Sequence, residues 1–189
     1  MPETARPHPL TFGHLLLACL SAALFFIAFE LNDLFLRSFE YRQGVNWIFL
    51  PAGLRVLLVL IMGAPGALGI LLGTWLLDFN ATGSLAQGVW LNGLVSGGVP
   101  LALMRAMQHL RLLLQRLSEL DRVQIVVFTL LYAALNALGH QGVWWVLKQP
   151  GQVLWLDVWP MFVGDALGVV LCLQAWRLAL WLKDRMSVT

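Results

Sequence analysis

LLLACLSAALFFIAF, residues 15–29, runs without a charged side chain, and no cleavage site with small residues follows it. An α-helix needs about 20 apolar residues to cross a bilayer. The stretch around this run, 12–35, therefore reads as an uncleaved membrane span rather than a signal peptide. The same criterion, carried outward, places further spans at 47–62, 65–79, 87–107, 123–147 and 153–182. The second and third are short, and only Met62, Gly63, Ala64, Pro65 and Gly66 separate them. Glycine and proline at that point break a helix and allow a tight reversal.

Composition agrees. Of 189 residues, 59% are hydrophobic and 12% charged, whereas a soluble domain carries about 25% charge. The expected fold is all-α: one polytopic transmembrane bundle of about six helices over residues 1–189. The net charge of +2 and the lack of a basic run interleaved with aromatics argue against nucleic acid as a partner. The four histidines and two cysteines show no metal-ligand spacing. A haem pair from His14 and His109 would need both at one depth. No cofactor or metal is expected.

Lys and Arg set the direction. Arg105, Arg111, Arg116 and Arg122 lie between spans four and five, and Arg177, Lys183 and Arg185 lie near the C-terminus. The loop after span three has none, and the loop after span five has only Lys148. Six spans with both termini in the cytoplasm put the rich segments inside, in the manner of a bacterial inner-membrane protein. Arg37 and Arg42, in the first outer loop, oppose this rule.

Three pairs of glycines four residues apart, Gly69/Gly73, Gly93/Gly97 and Gly164/Gly168, are small-xxx-small patterns that let helix backbones approach closely. They suggest that spans three, four and six pack together.

Polar residues inside apolar spans are costly and mark candidate sites. On this topology Glu30, Asp33, Arg55, Asp78, Asn92, His140, Asp157 and Asp165 all fall at or just below the outer surface. Arg55 sits one turn inside span two and needs a partner. Asp165 is the first choice, with Asp78 and Glu30 as rivals. The pair either fixes helix register or contacts a ligand. Asn136 and His140, four apart, share a helix face. His140 either bonds a neighbouring helix or takes part in ligand binding. Seven of nine tryptophans, among them Trp47, Trp144 and Trp159, fall at the outer end. An interfacial belt accounts for tryptophans at both faces, but not for this imbalance. The expected ligand-binding set is Glu30, Arg55, His140, Asp165, Trp47, Trp144 and Trp159. A cavity would open outward, with Asp165 at its floor. Phosphate-loop, zinc-protease and serine-hydrolase motifs are missing, so no catalytic residue is assigned and no enzyme is expected.

FLPAGL at 49–54, with GAPGALGILLG at 63–73, resembles the first type of the MASE family of membrane-associated sensor domains. VGDALGVV at 163–170 is similar to that family's late GDxxG segment. The resemblance spans residues 45–175 in outline. It implies a membrane sensor coupled to a cytoplasmic kinase or cyclic-di-GMP output. Six helices in 189 residues also look like the substrate-binding subunits of energy-coupling-factor vitamin transporters. The expected function is a sensor-like or accessory inner-membrane protein that recognises a small molecule in its outward half. Its partners would be the lipid bilayer and a protein on the cytoplasmic side or within the membrane. An uptake subunit and a structural subunit of a membrane complex are the alternatives.

Overall fold

The computed structural model describes residues 11–42, 44–83, 88–112, 121–148 and 150–186. Arg116 of the basic loop lies outside the described residues. The fold is all-α, and the described residues form six α-helices: α1 (Phe12–Leu36), α2 (Leu50–Met62), α3 (Ala64–Thr82), α4 (Val89–His109), α5 (Arg122–Val146) and α6 (Leu154–Met186). Three of them, α1, α5 and α6, are long and apolar enough to cross a membrane.

Local chemistry sets the helix ends. Pro51 and Pro65 occupy the first turns of α2 and α3, where an amide has no helical partner. The Asp121 carboxylate accepts from the Gln124 amide at 2.7 Å, and the Gln124 side chain accepts from the Asp121 amide, a reciprocal cap that starts α5. Gly63, at φ 62°, makes the reversal between α2 and α3.

Residues 47–49 precede α2 rather than opening it. The chain before them forms an antiparallel hairpin of β1 (Glu40–Arg42) and β2 (Val45–Asn46), which the apolar periodicity did not announce. Arg42 fastens the hairpin to the start of α6. It donates to the Asp157 carboxylate at 3.1 Å and to the Gly151 carbonyl. Asp157 is fully buried and also accepts from the Val153 amide at 2.8 Å.

Contacts fix the helix directions. Gly69 and Gly73 of α3 lie against Ala18 and Ala22 of α1, so these two helices run parallel. Gly97 and Gly93 of α4 meet Ala67 and Leu71 of α3, so that pair is antiparallel. Asn92 and Ser96 of α4 reach Trp144 and His140 of α5, again antiparallel. Asn136 and Gln141 of α5 reach Asp165 and Met161 of α6, antiparallel once more. The helices therefore alternate in direction. The β-hairpin marks one end of the bundle, and Arg105, Arg111 and Arg122 cluster at the other.

The short helix α2 is the hub. It packs against α1, α3, α4 and α6, and eight of its 13 residues are buried. At 1.5 Å per residue it spans only about 20 Å, which fits a helix enclosed by its neighbours. Of the three glycine pairs, those of α3 and α4 face α1 and α3. The pair on α6 faces the chain before α2 instead. A Cβ on Gly164 would collide with the Asn46 carbonyl, and one on Gly168 with that of Phe49. The α6 pair thus meets the hub's entrance rather than α3 or α4, as the sequence had suggested.

Large apolar side chains cover the outside of the helices as well as the core. Leu15, Leu16, Leu20, Ile27, Val126, Leu135, Leu171 and Leu178 point outward. Arg55, Ser96, Asn136, His140, Gln141, Asp157 and Asp165 point inward. So many apolar side chains on the outside of long apolar helices are compatible with a lipid surround.

Candidate functional site

Four elements converge on a buried polar cluster below the hairpin end. Arg55, one and a half turns into α2, is 4% exposed. Its guanidinium lies between two aromatic rings, 5.0 Å from the centre of Phe25 and 5.3 Å from that of Phe49. Cation–π attraction of this kind stabilises a desolvated arginine. Its Nε and Nη1 nevertheless have no hydrogen-bond partner in the protein.

Tyr132, Asn136 and His140 follow one another at four-residue intervals on α5, so one face of the helix presents all three. All are buried. The Tyr132 hydroxyl lies beside the Arg55 guanidinium but outside hydrogen-bond geometry. Asn136 donates from Nδ2 to the Asp165 carboxylate at 2.7 Å, and its own Oδ1 is unpartnered. His140 has Nε2 3.3 Å from the Ser96 hydroxyl, while Nδ1 is free. The charge of Arg55 acts at Asp78, Tyr132, His140 and Asp165 alike.

Toward the hairpin end the cluster continues as a hydrogen-bonded chain. The His140 ring lies 5.8 Å from that of Trp144. Trp144 donates from Nε1 to Asn92 Oδ1 at 3.0 Å, and Asn92 donates to Asp78 Oδ2 at 3.3 Å. Beside Trp144, a cavity of about 260 Å³ opens between the ends of α5 and α6, lined by Gln141, Trp144, Trp145, Lys148, Gln152 and Leu154.

Arg55, His140, Asp165 and Trp144 of the expected set are thus brought together. Glu30 is not: it lies exposed on α1. Trp47 and Trp159 are 42% and 68% exposed, in edge contact with Tyr41 and Phe162. Indoles at the outer end of an apolar surface suit a headgroup belt. Asp165 is 1% exposed and does not line the cavity; packing from α5 seals it. Nor does Arg55 form an ion pair with Asp165, since Arg42–Asp157 is the only ion pair among the described residues. Asp165 spends its near oxygen on Asn136 instead.

Tyr132, Ser96 and the cavity residues Gln141 and Gln152 were not singled out from the sequence, and Trp145 was read only as one of the seven outer tryptophans. The interval 132–136–140 was a readable signal for Tyr132. The others depend on which helices meet. No protein-family model, no curated protein and no solved structure matches this chain.

Proposed function

We propose that the chain is a six-span inner-membrane protein, both termini cytoplasmic and the hairpin end outward, that recognises a small polar ligand in its outer half as a sensor-like or accessory subunit. The observation that carries this reading is Arg55, a buried guanidinium with two nitrogens unpartnered inside the bundle. Tyr132 Oη, Asn136 Oδ1 and His140 Nδ1 around it are also unpartnered. Each such atom costs about 1–3 kcal/mol when nothing satisfies it. Five of them would approach the whole stability of a domain, about 5–15 kcal/mol. A cluster built only to hold the bundle together would have closed its hydrogen bonds. A cluster built to receive a polar guest leaves donors and acceptors open.

The sensor role draws support from the two resembling segments. They pack on one another: the Phe49 amide donates to the Gly164 carbonyl at 3.2 Å, and Gly168 sits against the Phe49 carbonyl. This contact joins α6 to the helix that carries Arg55. A change at Arg55 would therefore be felt along α6, which ends among Arg177, Lys183 and Arg185 on the side assigned to the cytoplasm. A protein partner there, or within the membrane, would receive it.

The test is a thermal-shift screen of small anions and polar metabolites on the full chain in nanodiscs. A ligand that binds only the folded state stabilises it by RT ln(1 + [L]/Kd) and so raises Tm as its concentration rises. A compound that shifts the wild type but not Arg55→Met supports the reading. If every compound that shifts the wild type shifts Arg55→Met equally, the cluster is not the recognition site.

A further inference from the structure

The C-terminal part of α6 leaves the bundle. Leu173 still packs against the core, whereas every described side chain in 174–185 is exposed. About 18 Å of helix therefore presents its whole circumference outward. Its composition changes at the same point. Residues 174–185 carry three basic residues, Arg177, Lys183 and Arg185, against one acidic residue, Asp184. Arg177, Trp181 and Arg185 recur at four-residue intervals, so one face of the helix sets an indole between two guanidiniums. The Arg185 guanidinium lies 4.5 Å from the centre of the Trp181 ring. Stacking on the indole holds the guanidinium by its face and leaves its N–H edge free to donate. Arg42–Asp157 is the only ion pair among the described residues, so these three cations have no carboxylate partner there.

Depth assigns the same groups to lipid headgroups. Trp155 and Trp176, both exposed, stand about 32 Å apart along α6 at 1.5 Å per residue. That separation matches a hydrocarbon core of about 30 Å. The two indoles suit its two interfaces, and α6 is apolar enough to cross between them. Arg185 lies about 14 Å beyond Trp176 along the axis. A headgroup layer of roughly 5–8 Å, helix tilt and the length of the arginine and lysine side chains bring all three cations within its reach.

We propose that this segment of α6 docks on anionic phospholipid. Arg177 and Arg185 fork phosphate oxygens on either side of Trp181, and Lys183 adds a third positive charge. Phosphatidylcholine is the weaker occupant, because its headgroup carries a cation of its own. No residue of the Arg55 cluster takes part, so the two readings stand or fall separately.

The experiment titrates the purified full chain, in neutral detergent, with an equimolar mixture of phosphatidylglycerol and phosphatidylcholine, and resolves the bound lipids by native mass spectrometry. One cation beside an anionic surface contributes about 1 kcal/mol, or about fivefold. With three, the wild type is expected to prefer phosphatidylglycerol by about tenfold or more. Arg177→Gln, Lys183→Gln and Arg185→Gln together should bring the two lipids within about twofold. Arg105→Gln, Arg111→Gln and Arg122→Gln remove as many charges from the same end of the bundle and should keep most of the preference. If the triple variant of α6 fails to fold, Arg185→Gln alone should lower the preference by about fivefold, and an unchanged preference there counts against the site. A wild type without preference overturns the inference and leaves an acidic protein surface as the occupant. It is equally overturned if the α6 variant keeps the preference, or if the control variant loses as much of it.

Discussion

Asn136 holds the Asp165 carboxylate at 2.7 Å across the α5–α6 interface, and both side chains are sealed from the surface. This one bond satisfies a buried anion that has no arginine in contact. Asn136→Leu would leave the carboxylate without its donor. It is expected to lower stability by about 1–3 kcal/mol, read as thermal or denaturant unfolding in detergent. Asp165→Asn keeps the shape and an amide acceptor, so its direct effect on this bond is smaller. Equal stability for Asn136→Leu and wild type would mean that another group reaches Asp165.

The coupling between Arg55 and Asp165 runs through the field rather than through a contact. Removing the carboxylate charge leaves Arg55 as a buried cation with aromatic faces, dipoles and the field of Asp78 around it. Asp165→Asn is therefore expected to destabilise the bundle, and Arg55→Gln added to it should recover part of the loss. A double-mutant cycle should give a coupling of about 0.5–3 kcal/mol. Strict additivity would show that the two charges do not sense each other.

Glycine substitutions should sort by what stands opposite. Gly164→Ala and Gly168→Ala drive a methyl group into backbone carbonyls of Asn46 and Phe49, which cannot rotate away. Loss of folding, or a fall of about 1–3 kcal/mol or more from overpacking, is expected. Gly98→Ala, with nothing near the new methyl group, should be neutral or slightly stabilising in its helix. Melting curves of the three variants check the order.

Much of this architecture was readable. Apolar runs announced six helices, and Gly63 with Pro65 marked the tight reversal. Arg55, His140 and Asp165 were recognisable because charge and imidazole inside apolar helices are exceptional. What remained hidden was pairwise geometry. The sequence pattern offers Arg55 three carboxylates and cannot show that Asp165 turns to Asn136 instead. Glu30 was misplaced because half a turn at the end of α1 separates an outward side chain from an inward one, and the inward position there belongs to Asn32. The hairpin at 40–46 escaped because its strands have three and two residues, too few for an alternating pattern. The glycine pair on α6 was visible, but its partner, the extended chain before α2, carries no small-residue signature.

The Arg42–Asp157 pair should govern the order of the hairpin end. Asp157 is fully buried and Arg42 one-third exposed. Arg42→Gln would leave a buried carboxylate with only the Val153 amide as donor. A loss of about 1–3 kcal/mol is expected, with faster amide exchange over residues 40–46 and 151–157. Asp157→Asn should be milder, because the neutral amide costs less to bury. Unchanged exchange in Arg42→Gln would show that β2, packed on α6, holds the hairpin by itself.

The direction of the bundle decides whether the cluster and the cavity lie in the outer half. Alternating helices put Ser38, beside the hairpin, and Leu112, after α4, at opposite ends, and both are exposed. Arg105, Arg111 and Arg122 lie with Leu112, and positive segments stay in the cytoplasm. Arg37 and Arg42 lie with Ser38 and pull the other way, although Arg42 is engaged by Asp157. In a background with Cys19 and Cys172 replaced by alanine, Ser38→Cys and Leu112→Cys are labelled in intact cells with a membrane-impermeant maleimide. Ser38→Cys should react from outside, and Leu112→Cys only after the cells are opened. The reverse pattern would turn the Arg55 cluster toward the cytoplasm and make any ligand a cytoplasmic one. Reaction of both from outside would overturn the six-span reading itself, because helices of alternating direction that all cross the membrane cannot place these two positions on one side.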